Sequence, residues 1–319
     1  MFKNIIIIIV CYLYDVKRFY LSSSINGVYK NKDTLIGHIL RISHALEKGL
    51  ALPSPRNGYG KQKINQLLSD TERFYDTYGW HKAVDIATSS MGALIEFHIS
   101  TNDLDKDIYE RFNLLKLKIY DGKAPPETAG LISINKAQLL KDIQIDPEAF
   151  FMNRHSIRKF SDEKVEISEL KRAVKLAMKT PSVCNRQTCR VRIYNTLDSM
   201  KKVLSFQDGN KGFGHGASAI LVVTSDMSNF YKAGERNQGY IDGGLFAMSL
   251  VYALHAMGLG TCMLNWSMGY RSDKRFRQAT GIPDKELVIM MIAVGVMQDS
   301  VEVAASPRKD IDDFCIVEG

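Results

Sequence analysis

Leu287-Val-Ile-Met-Met-Ile-Ala-Val294 is apolar at every position. A half-buried strand would alternate and a surface helix would repeat every 3.6 residues, so an unbroken short run of this kind predicts a strand covered on both faces. Such a strand needs helices on either side of its sheet. Outward from it, further strand-like runs stand at Val191-Tyr194, Ala219-Thr224 and Gly260-Leu264. Helical patterns at about 147–155, 168–179 and 238–257 are interleaved with them. The expected fold is α+β, with a central mixed sheet packed between helices.

Upstream of Asp146 helical patterns dominate. Asp33 or Thr34 is placed to cap a helix running through Ile39, Leu40 and Ala45 to a stop at Gly49. Apolar periodicity predicts further helices at roughly 61–78, 81–100 and 104–120. Leu52-Pro-Ser-Pro-Arg-Asn-Gly-Tyr-Gly60 reads as a loop, and residues 121–135, with Asp121-Gly122 and Pro125-Pro126, read as a linker. The chain therefore divides into a helical extension over 1–145, preceding the sheet, and a sheet domain over 146–319.

With 319 residues, 45% of them hydrophobic, there is material for packed cores. The net charge of +7 is unevenly placed: residues 1–64 hold ten of the 42 basic and three of the 35 acidic residues, which leaves 32 of each in the rest. The run Ile5–Tyr14 is short of the ~20 apolar residues that a spanning helix needs. Asp15, Lys17 and Arg18 follow it in place of a cleavage site. It reads as a buried strand or helix, as an apolar arm, or as a peripheral contact of residues 1–64 with an anionic membrane surface. Cys11, Cys184, Cys189, Cys262 and Cys315 lack zinc-ligand spacing and read as reduced thiols of a cytoplasmic protein. His44 and Glu47 share a helix face, a spacing that can bind a metal, but with no third ligand nearby in sequence they read as a helix-surface pair or core contact. No metal and no nucleic-acid partner is expected.

Three segments of the sheet domain carry chemistry. Asn153-Arg-His-Ser-Ile-Arg-Lys-Phe160, at the end of a predicted helix, offers two guanidiniums and a hydroxyl. Arginine forks suit phosphate and paired acceptors on a heterocycle. Thr180-Pro-Ser-Val-Cys-Asn-Arg-Gln187 packs amides and a hydroxyl into a turn. Ala304-Ala-Ser-Pro-Arg-Lys309 supplies a basic pair near the C-terminus.

Taken in this order, the segments resemble the FMN-dependent nitroreductase family over about residues 147–312. Its Arg-x-Ser-x-Arg-x-Phe motif is matched by Arg154, Ser156, Arg158 and Phe160, and its Pro-Ser-x-x-Asn-x-Gln turn by Pro181, Ser182, Asn185 and Gln187. Its long central helix and Gly-Leu-Gly strand are matched by Asp242–Met257 and Gly258–Trp266, and its basic pair by Arg308 and Lys309. Thr188 and Cys189 depart from the Pro and aromatic residue that often follow the Gln. In the extension, His44-Ala-Leu-Glu-Lys-Gly-Leu50 and Arg56-Asn-Gly-Tyr-Gly60 look like segments of nitroreductase-like proteins associated with bacterial surface-polysaccharide genes.

The resemblance implies an FMN-dependent oxidoreductase that carries hydride from NADH or NADPH to a small-molecule acceptor: a nitro, quinone or conjugated carbonyl compound. It implies that Arg154, His155, Ser156 and Arg158 contact the flavin and its phosphate, with Arg308 and Lys309 holding the phosphate. Leu264, Asn265 and Trp266 would lie at the flavin N5. Pro181, Ser182, Asn185 and Gln187 would reach the flavin of the other subunit of an intertwined homodimer. No protein acid or base is required, because the cofactor performs the chemistry. The alternative is a flavin protein of the same fold with other redox chemistry, or a scaffold role in a surface-polysaccharide pathway.

Overall fold

A computed structural model of the chain describes all residues except 1, 26–28, 30, 53–54, 57, 124–125, 127–128, 134, 136, 139–143, 309 and 319. Parts of the loop at 52–60 and of the linker at 121–135, including Pro125, therefore lie outside the described residues, as does Lys309.

The first helix, α1 (Phe2–Ser22), contains the isoleucine run. Four helices follow it: α2 (Lys32–Leu50), α3 (Lys61–Tyr78), α4 (Lys82–Ser100) and α5 (Lys106–Tyr120). They close around a core that includes Ile39, Leu46, Ile64, Leu67, Phe74, Met91 and Leu94. The cap of α2 lies two residues before Asp33, the earlier of the two expected caps. Asn31, not Asp33 or Thr34, accepts from Thr34 N at 3.0 Å, and Thr34 Oγ1 closes the box on Asn31 N at 3.2 Å. Asn31 takes the position because it is extended there, as a cap must be, while Asp33 is already helical. The two short motifs of the extension meet: Tyr59 Oη donates to the Ala45 carbonyl, and a Cβ at Gly49 would lie 1.8 Å from the Tyr59 ring. His44 Nδ1 stands 3.7 Å from Glu47 Oε2, and no group of three metal-competent side chains occurs among the described residues.

α1 does not join that core. Its Phe19 packs on Met227, Phe230 and Leu287, and Arg18 donates to the carbonyls of Asp284 and Glu286 at 3.0 and 2.8 Å. α1 therefore docks on the sheet domain, exposing an apolar face of Ile5, Ile9, Tyr12, Leu13, Val16 and Tyr20.

The sheet domain has the helices α6 (Pro147–Met152), α7 (Ile167–Ala177), α8 (Leu197–Leu204), α9 (Gln238–Ala256) and α10 (Tyr270–Thr280). Its strands are β1 (Cys189–Tyr194), β2 (Ala219–Asp226), β3 (Leu259–Asn265) and β4 (Glu286–Val296), in the order β1-β2-β4-β3. All four pair antiparallel, and among the described residues the parallel element is a single bridge to Thr261 of β3 from Ser156, which lies outside the named strands. Alternate side chains of β2 and β4 enter two cores. Leu221, Val223, Ile292 and Val294 meet α7 and α9, while Ile220, Val222, Met291 and Ala293 meet α8 and Phe276 of α10. This two-sided burial is why the 287–294 run is apolar throughout.

Candidate functional site

The helix expected to reach 155 stops at Met152, and Arg154–Phe160 runs extended along the sheet edge. Ile157 N donates to the Thr261 carbonyl at 2.8 Å, Ser161 N donates to that of Val296 at 2.9 Å, and Ile157 and Phe160 are buried. Two glycines make this seat. Gly260 and Gly295 are register partners in β3 and β4. A Cβ at Gly260 would lie 3.0 Å from Ile157, and one at Gly295 would lie 2.6 Å from Phe160. Gly258 has a separate reason: its φ of +76° turns the chain out of α9.

Anchored by its apolar residues, the segment carries Arg154, His155 and Ser156 half-buried and Arg158 exposed. The charges of Arg154 and Arg158 are unspent. Neither forms an ion pair among the described residues, and Arg158 makes only a 3.5 Å contact with the Ser156 carbonyl and stands 5.8 Å from the Phe213 ring centre. The contrast with other arginines of the domain is sharp. Arg186 grips Glu235 at 2.5 Å, Arg190 binds Asp226 at 2.6 Å, Arg192 binds Glu286 at 2.5 Å, and Arg277 binds Asp273 at 2.6 Å. Burial pushes Asp226, Glu235, Asp273 and Glu286 upward. Hydrogen bonds and neighbouring charges, from Ser228 and Arg190, from Arg186, from Arg277 and Trp266, and from Arg192 and Thr224 respectively, outweigh it and hold all four below the usual carboxylate range. A planar fork with no carboxylate partner is suited to a phosphate or to the paired acceptors of a heterocycle. The donor set at Arg154–Arg158 therefore fits a flavin mononucleotide.

At the far end of β3, Leu264 is buried, Asn265 is exposed and Trp266 is half-buried. Gln207 Nε2 donates to the Asn265 carbonyl at 3.2 Å, and the Trp266 ring packs 4.4 Å from that of Phe276.

The turn at 181–187 is a strained loop with positive φ at Cys184, Asn185 and Gln187. It is held from behind by Asp242 of α9, which accepts from Val183 N at 3.2 Å, by Ser182 Oγ accepting from Gln187 N at 2.9 Å, and by the buried Arg186, which donates to the carbonyls of Val183 and Asn229. This support leaves Pro181, Asn185 and Gln187 exposed and Ser182 half-buried. Asp242, Arg186 and Glu235 escaped the sequence reading because their partners are distant in the chain. The signal was a charged residue within an otherwise polar, neutral turn. Cys184 and Cys189 are free thiols, and burial pushes Cys189 up to about 12.

The two polar segments are not brought together within one chain. The turn enters β1 at one edge of the sheet, and the arginine segment lies outside β3 at the other, about 19 Å away at four strand spacings of ~4.8 Å. The register places them at opposite ends as well, since Cys189 pairs with Ser225 while Thr261, beside Ser156, pairs with Val294. Arg308 is exposed on the C-terminal tail, where it donates to the Ser306 carbonyl and meets neither segment.

A model of the Nitroreductase family matches residues 151–206 and 199–296. A protein of Archaeoglobus fulgidus with the provisional name NADH dehydrogenase/NAD(P)H nitroreductase is 23% identical over 146 residues, covering 46% of this chain and 82% of its own. Among solved structures, an FMN-dependent nitroreductase from Clostridium difficile is 21% identical with a TM-score of 0.43, over 50% of this chain and 91% of that one. A nitroreductase with bound FMN from Desulfitobacterium hafniense is 20% identical with a TM-score of 0.42, over 53% and 96%. A nitroreductase family protein from Streptococcus pneumoniae is 18% identical with a TM-score of 0.47, over 53% and 98%. Residues 151–296 form an oxidoreductase domain of nitroreductase-like fold.

Proposed function

We propose that the chain is an FMN-dependent reductase that takes hydride from NADH or NADPH and passes it to an oxidised organic acceptor: a nitro, quinone or conjugated carbonyl compound. The observation that carries this reading is the pair of unspent guanidiniums, Arg154 and Arg158, fixed beside β3 in a domain of this family. FMN, when bound, supplies the hydride chemistry. The protein supplies position and charge. Arg154, His155, Ser156 and Arg158 hold the phosphate and the pyrimidine edge, and positive charge there favours the anionic reduced state. Leu264, Asn265 and Trp266 form the wall at the reacting end, with Gln207 fixing the Asn265 carbonyl.

The active unit in this reading is a homodimer. Pro181, Ser182, Asn185 and Gln187 of one subunit complete the site that Arg154–Arg158 of the other begins, which agrees with their separation in a single chain. Arg308 and Lys309 reach a phosphate by the same exchange. Residues 1–145 act as the helical extension and 146–319 as the flavin domain.

The setting is the cytoplasmic side of a membrane, with α1 in peripheral contact. Among the described residues no helix is long and apolar enough to cross a bilayer. The apolar surface of α1 stands beside Arg271 of α10, which lines a cavity with Ile6, Ile7 and Val10 and is exposed and without an ion pair among the described residues. That pairing of apolar and basic surface suits anionic lipid.

The absorbance spectrum of the purified chain tests the function. Flavin bands that bleach with NADH or NADPH in the absence of oxygen, and return on addition of a quinone, are expected. Protein that is colourless and takes up no added FMN overturns the reading.

A further inference from the structure

A cavity lies between α1 and the start of α10, bounded by Ile6, Ile7, Val10 and Cys11 on one side and Gly269–Ser272 on the other. Its volume is about 510 Å³, within the range of small-molecule sites. The wall from α1 consists of aliphatic side chains and a thiol, and Ile6 and Ile7 are 59% and 47% exposed, so an apolar occupant would cover surface that is otherwise wet. Arg271 stands at the rim, its Nε donating to Tyr270 Oη at 3.0 Å, with no carboxylate partner among the described residues.

The cavity adjoins the segment proposed for the reacting end of the flavin site. Cys11 and Tyr270 also line a smaller polar cleft whose other walls include Trp266 and Met268. Gly269–Ser272 follow directly in the chain after Asn265–Met268. A molecule with a polar, reducible head at Trp266 and an apolar tail would thus place the tail along α1.

We infer that this groove binds the apolar chain of a long-tailed quinone acceptor drawn from an anionic membrane. The inference rests on the proposed flavin reductase for the reaction, though not for the binding. The reaction balances as NAD(P)H + H⁺ + quinone → NAD(P)⁺ + hydroquinone: two carbonyls become two hydroxyls, and the nicotinamide is oxidised.

The alternative occupant is the same face of a second copy. A two-fold contact sets a patch against itself, so Arg271 at the rim would meet the like charge of the other copy, which costs affinity. Anionic headgroups around Arg271 gain it. Lipid is therefore the better complement of the rim, and a lipophilic acceptor the better complement of the groove.

Equilibrium dialysis of the full chain against decyl-benzoquinone and against the same ring without its tail measures the tail directly. The tailed compound is expected to bind at least about tenfold more tightly, since every buried methylene adds to affinity. Val10→Asp should bring it to the level of the parent ring, Val10→Leu should retain the gain, and turnover of the parent ring should be unchanged in both. Circular dichroism checks that Val10→Asp keeps its helices. Equal binding of the two quinones overturns the proposal even when both are reduced. Tail-dependent binding without any NAD(P)H oxidation keeps the groove and removes the reductase. If Val10→Asp dissociates a dimer and leaves tail binding intact, α1 is a chain-to-chain contact and the proposal fails.

Discussion

Trp266 donates its indole hydrogen to Asp273 Oδ1 at 2.9 Å, which ties the wall of the candidate flavin site to the first turn of α10. The other oxygen of that carboxylate accepts from Tyr14 Oη of α1 at 2.9 Å and from Arg277 Nε at 2.6 Å. One buried carboxylate thus joins the N-terminal helix to Trp266. Tyr14→Phe removes a hydrogen bond to a charged acceptor, a loss of about 1.5–3 kcal/mol. The chain has two tryptophans, so in a Trp80→Phe background the emission of Trp266 reports the site. A red shift with lowered urea stability is expected. An unchanged spectrum and midpoint would disconnect α1 from Trp266.

Acid should act through the same residue. Burial alone would raise the pKa of Asp273, but Arg277, Trp266 and Arg18 hold it below the usual value. A carboxylate whose folded pKa is depressed contributes stability above its unfolded pKa and loses it as pH falls through the folded value. The contribution is therefore constant from about pH 7 to about pH 5 and declines below about pH 4. Urea titrations at several pH values should show this decline, and Asp273→Asn should flatten it. A variant with an unaltered acid limb refutes the assignment.

Arg158→Ala should weaken FMN binding. A charge-assisted bond to phosphate contributes about 1.5–3 kcal/mol, roughly a 10- to 150-fold change in affinity. Arg308→Ala should show a loss of the same order if the tail closes over the phosphate of a neighbouring subunit. Both are measured by flavin retained after dilution and gel filtration. Full retention in either variant removes that residue from the site.

The seat of the arginine segment can be disturbed without touching an arginine. A methyl group at Gly295 meets Phe160 at 2.6 Å, too close to remain there. Gly295→Ala should cost about 1–3 kcal/mol through overpacking and should also lower flavin content by displacing Arg154–Arg158. Thermal melts and absorbance of the same preparation check both effects. Lost stability with full flavin content would show that the segment's position does not matter.

Sharing of the site between subunits predicts complementation. Arg158→Ala and Asn185→Ala chains, inactive alone, should recover about a quarter of wild-type activity when co-expressed. Random pairing makes roughly half the dimers mixed, and each of those has one intact site of two. Tandem purification of differently tagged chains isolates the mixed species. No activity in the mixed dimers means that both segments serve the same chain's flavin.

The sequence alone determined the elements of the fold. Periodicity depends on neighbours within a few residues, so the runs at 191–194, 219–224, 260–264 and 287–294 emerge as β1–β4, and α2, α3, α4 and α9 lie within two residues of expectation. It also marked the polar segments of the site by composition. Tertiary structure decided what the segments do. Only the register of β3 with β4 shows that Gly260 and Gly295 are empty to admit Ile157 and Phe160, and only ion pairing separates the spent Arg186 and Arg190 from the unspent Arg154 and Arg158. The isoleucine run stayed ambiguous for the same reason. Whether an apolar helix lies in a core or on a surface depends on partners such as Asp273, more than 250 residues away in the chain. Local pattern fixes local conformation, whereas burial, charge pairing and the sharing of a site are set by contacts that no window of sequence contains.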